Sequence, residues 1–293
     1  MRATSMPSSI GARPCTARCR DAWPTWGDEI ARLDLELVRR GMARSRGHAK
    51  ELIEAGDVEI PGGPATPKPS TEVAADDELV VTGPPCRWVN RGAEKLHHAL
   101  TSWRIDVGGR RALDVGASTG GFTQVLLAHG ARHVVALDVG HGQLHPSVAA
   151  DPRVSDVEGV SVRDLDSLSL DPFDILVADL SFISLTVAMP AMARAVTPEG
   201  EVVLLVKPQF EVGRERLGKN GIVSRSRDRA LAIGRVVDSA AEHGLGVQGL
   251  LPSPISGTHG NREFLLWLHP ADGADMDPSV LTRTIEVVSS APR

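Results

Sequence analysis

The chain has 293 residues, 42% of them hydrophobic, a length and composition that predict two domains with apolar cores. Its 32 basic and 37 acidic residues give a formal net charge of −5, which excludes a general polycation, so any nucleic-acid binding has to come from local basic patches. The odd number of cysteines, 3, argues against a disulfide framework and favours a reducing, cytoplasmic location.

Residues 1–27 are rich in Ser, Pro, Arg and Ala and show no helical period. They also lack the apolar segment that a secretory signal peptide requires. We therefore predict a disordered extension at this end. An organellar transit peptide is the alternative interpretation of such an arginine-rich, acid-poor opening.

Two short helices followed by a small sheet are predicted over residues 28–83. Leu33 and Leu37 recur at helical spacing, and Ser45 is placed to cap a second helix ahead of several short strand signals. The cations around the helices suggest a phosphate-binding face, although the interspersed acids are equally typical of a solvated helix pair. The candidates for RNA contact here are Arg32, Arg44, Arg46 and Lys50.

A glycine-rich turn follows a short apolar strand between Asp114 and Thr123, where the chain reads Asp-Val-Gly-Ala-Ser-Thr-Gly-Gly-Phe-Thr. Its glycines let the backbone approach a ligand, and its spacing is neither that of a dinucleotide motif nor that of a P-loop. The next predicted strand ends in Asp138, where a carboxylate can accept hydrogen bonds from both hydroxyls of a ribose. We therefore predict a nucleoside-cofactor site, with a tight strand-to-helix turn as the alternative. The candidate cofactor residues are Asp114, Gly116, Ser118, Thr119, Gly120, Gly121, Phe122 and Asp138.

Four dispersed charges point to the same edge of the predicted sheet. Asp179 and Lys207 each end an apolar strand, at the position where open α/β sheets place ligands. Glu263 begins a later strand near that edge, which we expect to run antiparallel, and Lys95 lies shortly before the glycine-rich turn. Any one of these charges could be a solvated strand cap, but the four together indicate a site.

The run Asp-x-Gly-x-x-x-Gly-Gly-Phe resembles the first motif of S-adenosylmethionine (SAM)-dependent methyltransferases, especially the FtsJ-like RNA 2′-O-methyltransferases. Their Lys-Asp-Lys-Glu tetrad matches Lys95, Asp179, Lys207 and Glu263. The resemblance implies a Rossmann-like, doubly wound α/β domain over residues 91–270 with SAM as cofactor, and the reaction requires no metal.

The chemistry of methyl transfer to a ribose hydroxyl suggests a role for each of the four residues. Lys207 is the candidate base for a ribose 2′-hydroxyl, a task that suits a lysine near another cation or partly removed from water. Asp179 and Glu263 would hold the ammonium groups and the hydroxyl in line, and Lys95 would tune the local charge. Methyl transfer is then governed by positioning.

Residues 28–83 resemble an S-four-like RNA-binding domain, a small α+β module, in the order Arg-Leu-Asp, Arg-Ser-Arg, Leu-Ile-x-Ala-Gly, Val-x-Ile and Lys-Pro-Ser. Together with Ala-Asp-Leu-Ser-Phe-Ile-Ser and Val-Lys-Pro-Gln-Phe-Glu, these motifs make the chain resemble the TlyA family from about Arg32 to Trp267. Members of that family are described both as ribosomal RNA cytidine 2′-O-methyltransferases and as haemolysins. The resemblance implies methylation of a cytidine ribose in 16S rRNA of the 30S subunit and, in some members, 23S rRNA of the 50S subunit.

The chain departs from the family pattern in the linker at residues 84–90. The family linker typically reads Arg-x-Trp-Val and couples RNA binding to cofactor affinity, whereas here Cys86 stands at the first position. Arg87, the neighbouring candidate RNA contact, is the residue that could substitute for the missing arginine. The segment 209–227, rich in Gly, Arg and Lys, is predicted to be a mobile loop over the site, and residues 271–293 are assigned only as a C-terminal tail.

Three alternatives remain beside an RNA ribose methyltransferase. A pore-associated haemolysin is disfavoured because the most apolar stretch, residues 175–196, contains Asp179, Pro190 and Arg194, and we expect no membrane insertion. A non-catalytic RNA-binding ribosome assembly factor would have no reason to keep the whole tetrad. A small-molecule methyltransferase would not need the RNA-binding module.

Overall fold

The computed structural model describes residues 30–43, 45–82, 88–257, 260–270 and 275–291. Its internal contacts divide the chain into two units, Met1–Pro85 and Cys86–Arg293. Several positions named above fall outside the described residues: the extension at 1–27, most of the linker, and Arg44, Cys86 and Arg87.

The first unit is a small α+β domain, as the sequence predicts. Ser45 Oγ accepts a hydrogen bond from His48 N and so caps the second helix, which ends at Gly56 in the left-handed conformation (φ 81°). Apolar side chains such as Leu33 and Leu37 form its core. Its elements are α1 (Leu33–Arg39) and α2 (Arg46–Ala55), with β1 (Ala31–Arg32) antiparallel to β3 (Glu72–Val73) and β2 (Val58–Glu59) antiparallel to β4 (Val80–Val81).

The second unit alternates strands and helices. Its strands are β5 (Arg111–Val115), β6 (His133–Asp138), β7 (Val154–Glu158), β8 (Phe173–Ala178), β9 (Val196–Val206), β10 (Leu245–Pro252) and β11 (Phe264–Pro270). Its α-helices are α3 (Ala93–Trp103), α4 (Gly121–Ala128), α5 (Pro146–Ala149), α6 (Leu185–Arg194), α7 (Pro208–Glu211), α8 (Ser226–Glu242) and α9 (Pro278–Ser290). Short 3-10 segments occur at Val162–Leu168, Arg214–Arg216 and Lys219–Gly221.

The strands of the second unit form one seven-stranded sheet in the order β10-β11-β9-β8-β5-β6-β7. Strands β5 to β9 pair in parallel, whereas β11 lies antiparallel between β9 and β10. The chain first moves outward from β5 to β7 and then returns to the other side of β5 with β8. Ligands of doubly wound sheets bind in the crevice that such a reversal opens at the carboxyl ends of the strands. The predicted Rossmann-like fold is confirmed.

Both faces of the sheet are covered, because neighbouring strand residues point to opposite sides. Leu113 and Val115 of β5 pack into one apolar cluster with α6, α8 and the end of α9, while Ala112 packs into a second with α3 and α4. Helix α9 contributes Val288 to the first cluster. The predicted C-terminal tail therefore contains a helix that packs on the core.

The segment after β9 is tied to the rest of the unit. Val212 and Val223 form a small apolar cluster with Ala232 of α8. The buried Asn261 donates from Nδ2 to Gly221 O and accepts from Val223 N at Oδ1, both at 3.1 Å. This region, predicted from sequence as a mobile loop, is held on two sides by packing and hydrogen bonds.

Candidate active site

Four charged side chains meet at the carboxyl edge of the parallel strands. Lys95 Nζ lies 2.6 Å from Glu263 Oε2 and 4.0 Å from Asp179 Oδ2. Lys207 Nζ lies 2.6 Å from Asp179 Oδ1. Charges therefore alternate along the row Glu263–Lys95–Asp179–Lys207, and each lysine is less than a tenth exposed. A row of this kind keeps two buried ammonium groups next to carboxylates, which offsets the cost of removing them from water.

The fold explains why distant parts of the sequence meet here. Asp179 directly follows β8 and Lys207 directly follows β9, two adjacent parallel strands. Glu263 directly precedes β11, whose Phe264 pairs antiparallel with Val206, so its start lies beside the end of β9. Lys95 lies in the first turn of α3.

Two adjoining cavities share this edge. The first contains the four charged side chains together with Thr119, Gly121 and Phe122 of the glycine-rich turn. The second contains Asp138 and apolar side chains from β5, β6 and the turns that follow β7 and β8. Gly116, Ser118, Asp179 and Ser181 line both cavities. These four residues form a wall that the two cavities share, and a ligand that reaches from one cavity into the other must pass it.

The glycine-rich turn needs its glycines. Gly116 has φ 84°, and a Cβ there would lie 2.9 Å from Asp179 O, which would force the two strand ends apart. At Gly121 a Cβ would overlap the side chain of Asn90, whose Nδ2 donates to Thr119 Oγ1 at 2.6 Å. A side chain at Gly116 or Gly121 would therefore collide with Asp179 or Asn90, and the turn requires glycine at both positions.

Asp138 is held in place by backbone amides. Ser118 N donates to Oδ2 and Gly140 N donates to Oδ1, each at 2.8 Å. Each carboxylate oxygen retains acceptor capacity toward the cavity. The adjacent Val139 is 70% exposed at the rim, and Val160 lines the same cavity. A carboxylate beside apolar walls fits the ribose and base of a nucleoside.

Asp114 occupies a different environment from the other predicted cofactor residues. It is fully buried, accepts a hydrogen bond from Thr123 Oγ1 at 2.6 Å, and lines neither cavity. Burial raises the pKa of Asp114 to about 7, assisted by the nearby negative charge of Asp179 and opposed by the Thr123 hydrogen bond. The hydrogen bond between Asp114 and Thr123 ties β5 to the start of α4 and so supports the glycine-rich turn between them.

Asn90, Ser181 and Phe182 are among the lining residues that were not candidates from the sequence. Phe182 is 92% exposed, has φ 64°, and lies with its ring centroid 5.3 Å from that of Phe210. An aromatic ring held in solvent by a strained backbone is a sign of function. Its place three residues after a strand-end acid is the sequence signal that could have found it.

Comparisons with known proteins agree with this architecture. A model of the FtsJ-like methyltransferase family matches residues 88–269, and a model of the S4 domain matches residues 31–79. A protein of Mycobacterium tuberculosis named 16S/23S rRNA (cytidine-2′-O)-methyltransferase TlyA is 50% identical over 240 residues, which cover 81% of this chain and 89% of that protein. This chain belongs to the TlyA family.

Other relatives of this TlyA family member carry a different name. Hemolysin A of Brachyspira hyodysenteriae is 35% identical over 236 residues, covering 80% of this chain and 98% of that protein. A solved structure of a protein named as a haemolysin, from Streptococcus thermophilus, has a TM-score of 0.70 and 37% identity, covering 89% of this chain and 94% of its own. Among the helices of the described residues, none is both long and apolar enough to cross a membrane.

The S4 domain of this TlyA family member gathers cations of its own. Arg32 Nε lies 2.9 Å from Asp34 Oδ1, and Arg46 Nη2 lies 3.1 Å from Asp34 Oδ2, so one buried carboxylate orients two guanidinium groups. Lys50 and Lys68 line the same surface cavity. Both arginines are about half exposed. Of the RNA-contact candidates in the described residues, Arg32, Arg46 and Lys50 thus lie together.

Within the described part of the chain, no group of three or more His, Cys, Asp or Glu side chains is arranged to hold a metal ion. The His97 and His129 rings do face each other, with Nδ1 and Nε2 3.1 Å apart, but they pack beside Trp88 rather than in either cavity.

Proposed function

We propose that this chain uses SAM to methylate the 2′-hydroxyl of a cytidine in ribosomal RNA. The observation that carries the proposal is the row of alternating charges beside the cavity that contains Asp138. The proposal is also supported by the relative with 50% identity, whose name states this reaction for that protein. The S4 domain supports an RNA substrate over a small molecule.

The second cavity is the proposed place for the cofactor. Asp138 would accept hydrogen bonds from the ribose hydroxyls, Val139 and Val160 would contact the adenine, and Gly116, without a side chain, would let the cofactor come close to the backbone. SAM, when bound there, supplies a methyl group attached to a positively charged sulfur. Gly116 and Ser118 lie in the wall shared with the first cavity, which would bring that methyl group toward Lys207.

The first cavity is the proposed place for the target ribose. Lys207 Nζ accepts the proton of the 2′-hydroxyl, while Asp179 holds that nitrogen in place. Lys95 joins Asp179 to Glu263 and keeps both carboxylates in register. The remaining contribution is alignment of the reacting atoms, which can supply several orders of magnitude in rate.

Recognition of the RNA would be divided between surfaces. The cations around Arg32 and Arg46 suit phosphate groups, which fix position without reading sequence. Phe182 offers an exposed ring at the second cavity, next to Ser181 of the wall that the two cavities share, and unstacked RNA bases bind to such rings. We infer that Phe182 stacks on the target base while the ribose of that nucleotide enters the first cavity.

The experiment is transfer of radiolabelled methyl from SAM to isolated 30S and 50S subunits by the full chain, with Lys207→Ala for comparison. We expect label on the ribose of a cytidine in 16S rRNA, with or without 23S rRNA, and loss of that label in the variant. Measured SAM binding without transfer to either subunit would instead favour a non-catalytic RNA-binding role. Label on a base rather than a ribose would contradict the proposed reaction.

A further inference from the structure

Ser181 lies two residues after Asp179 and has no role in the function proposed above. Its Oγ accepts a hydrogen bond from Lys207 Nζ at 2.8 Å. It also belongs to the wall that the two cavities share. The side chain is exposed, so its position is not explained by packing in the core.

The two contacts of Lys207 differ in kind. Asp179 Oδ1 lies 2.6 Å from the nitrogen as an ion pair, but it accepts no aligned hydrogen bond within the described residues. The contact with Ser181 Oγ is an aligned hydrogen bond. Hydrogen bonds weaken steeply away from a linear arrangement, whereas charge attraction does not. The hydroxyl therefore sets the rotation of the amino group about the Cε–Nζ bond.

We propose that Ser181 is a positioning residue that aims Lys207 Nζ at the ribose hydroxyl; this inference rests on the proposed function. A tetrahedral nitrogen has three directions besides its bond to carbon. Ser181 Oγ fixes one of them. In the neutral amine one N–H bond then points to Ser181, so the second N–H bond and the lone pair are confined to the two remaining directions, one of which we propose is taken by the lone pair facing the ribose hydroxyl.

Methyl transfer then requires no proton acceptor other than Lys207. The lone pair of Lys207 takes the proton of the 2′-hydroxyl as the 2′-oxygen forms its bond to the methyl carbon. The carbon–sulfur bond breaks with its electron pair remaining on sulfur, so the sulfonium charge is removed and Lys207 ends as an ammonium group. Without Ser181 the amino group rotates freely against Asp179, and the lone pair faces the hydroxyl for only part of the time.

The test compares Ser181→Ala, Ser181→Val and Ser181→Thr in the full chain, with methyl transfer to ribosomal subunits as the assay. The Val and Thr side chains have nearly the same shape, and only Thr keeps the hydroxyl. We expect Ala and Val to lower kcat at least ~10-fold, a typical cost of lost alignment, with KM for SAM and for the subunit within about 2-fold. Ser181→Thr is expected to retain kcat within about 3-fold.

Ser184 provides the matched control. Its Oγ accepts from Thr186 N at 3.1 Å and donates to Glu211 Oε2 at 2.5 Å, so it caps α6 and has no contact with Lys207. Ser184→Ala is expected to lower the melting temperature while leaving kcat within about 2-fold, because loss of a cap affects stability. A purely structural serine at position 181 would behave in the same way.

The outcomes separate the two proposals. A wild-type chain that methylates rRNA, with unchanged kcat in Ser181→Ala, overturns this inference alone. A raised KM at constant kcat overturns it as well, because Ser181 would then bind substrate rather than orient Lys207. A kcat of Ser181→Thr as low as that of Ser181→Val would also overturn it, because the loss would then not be due to the missing hydroxyl. Absence of methyl transfer by the wild type overturns the proposed function on which the inference rests.

Discussion

The S4 domain and the methyltransferase domain both place a carboxylate between two cations, but they use different cations. Asp34 lies between two arginines, whereas Asp179 lies between Lys95 and Lys207. A guanidinium keeps its charge at any physiological pH and presents a planar fork of donors, while an ammonium is a compact point charge that can lose its proton. The first arrangement suits permanent recognition of phosphate, and the second suits proton transfer.

The acids of the two domains differ in a corresponding way. A side-chain hydrogen bond from Arg39, with help from Arg40 and against the effect of burial, lowers the pKa of Glu36 to about 2. A hydrogen bond from Arg32 likewise lowers the pKa of Asp34. In the methyltransferase domain, burial without a cationic partner raises the pKa of Asp114 to about 7. In the S4 domain the arginines thus lower the pKa of Asp34 and Glu36, whereas in the methyltransferase domain burial raises the pKa of Asp114 to about 7.

The sharpest test of this comparison exchanges the cation types. Lys207→Arg keeps a positive charge beside Asp179 but removes a group that can accept a proton. We expect methyl transfer to fall by ~10²- to 10⁴-fold, the usual contribution of a general base, with SAM binding and melting temperature little changed. Single-turnover transfer of labelled methyl to the subunits measures it.

Lys207→Ala is the companion variant. If charge were the main contribution of Lys207, the arginine variant would retain far more activity than the alanine variant. Equal losses in the two are expected if proton transfer is the contribution. An arginine variant close to wild type would place the base elsewhere.

The next effect concerns the stability of the S4 domain. Glu36 is buried, contacts both Arg39 and Arg40, and Arg40 also donates to the carbonyls of Ala74 and Asp77. Glu36→Gln removes the charge but not the shape, so we expect the domain to lose about 2 kcal/mol of unfolding free energy. Hydrogen exchange of the α1 amides in the full chain reports the loss.

The pH dependence of this effect has a definite sign. Because the folded pKa of Glu36 lies below its ordinary value of 4.5, its contribution is present above that value and is lost as the pH falls toward 2. Wild type and Glu36→Gln should therefore converge at low pH. Glu54→Gln, which changes an exposed pair with Lys50, is the control and should change little at any pH.

A second pH-dependent effect on stability is expected for Asp114. Its raised pKa of about 7 means that the folded chain retains a proton which the unfolded chain releases near pH 4, so stability falls as the pH rises from about 4 to about 7 and then levels off. Asp114→Asn cannot ionise, and its side-chain oxygen can still accept from Thr123. We expect the melting temperature of the variant relative to wild type to rise by several degrees between pH 5 and 8.

The control for this titration is Asp166→Asn, because Asp166 forms an exposed ion pair with Arg194. Its melting curve should run parallel to that of the wild type over the same pH range. Parallel curves for Asp114→Asn as well would mean that Asp114 is ionised in the folded chain, contrary to the effect of burial.

Much of the fold could be predicted because its signals are periodic and local. The apolar run before Asp179 and the run before Lys207 mark two buried strands, and strand ends of a parallel sheet share one edge. The antiparallel direction of the strand after Glu263 was predicted and is confirmed. The contacts among the four charges follow from this topology, although their roles stay a prediction.

Other features depend on details that no sequence period carries. The hydrogen bond between Ser181 and Lys207 depends on a turn in which Phe182 adopts φ 64°, and such a conformation has no residue signature outside glycine and asparagine. Asp114 was placed with the cofactor residues because it precedes the turn, but the strand points it inward. Helix α9 has a readable start, Asp277 followed by Pro278, within the segment that was predicted only as a C-terminal tail.

The smallest expected effect concerns the arginine pair itself. Arg46→Ala should weaken RNA binding only ~3- to 10-fold at physiological salt, because it removes one phosphate contact among several. The slope of log affinity against log salt should become shallower by about 0.9, the value expected for one released counterion. Arg194→Ala makes the same change of charge at an exposed pair in the methyltransferase domain and should leave the slope unchanged. Filter binding of labelled rRNA fragments over a range of salt concentrations measures both. An unaltered slope for Arg46→Ala would mean that Asp34 engages this guanidinium too strongly for it to bind phosphate, and the contrast between the arginines of the S4 domain and the lysines of the methyltransferase domain would then concern folding rather than recognition.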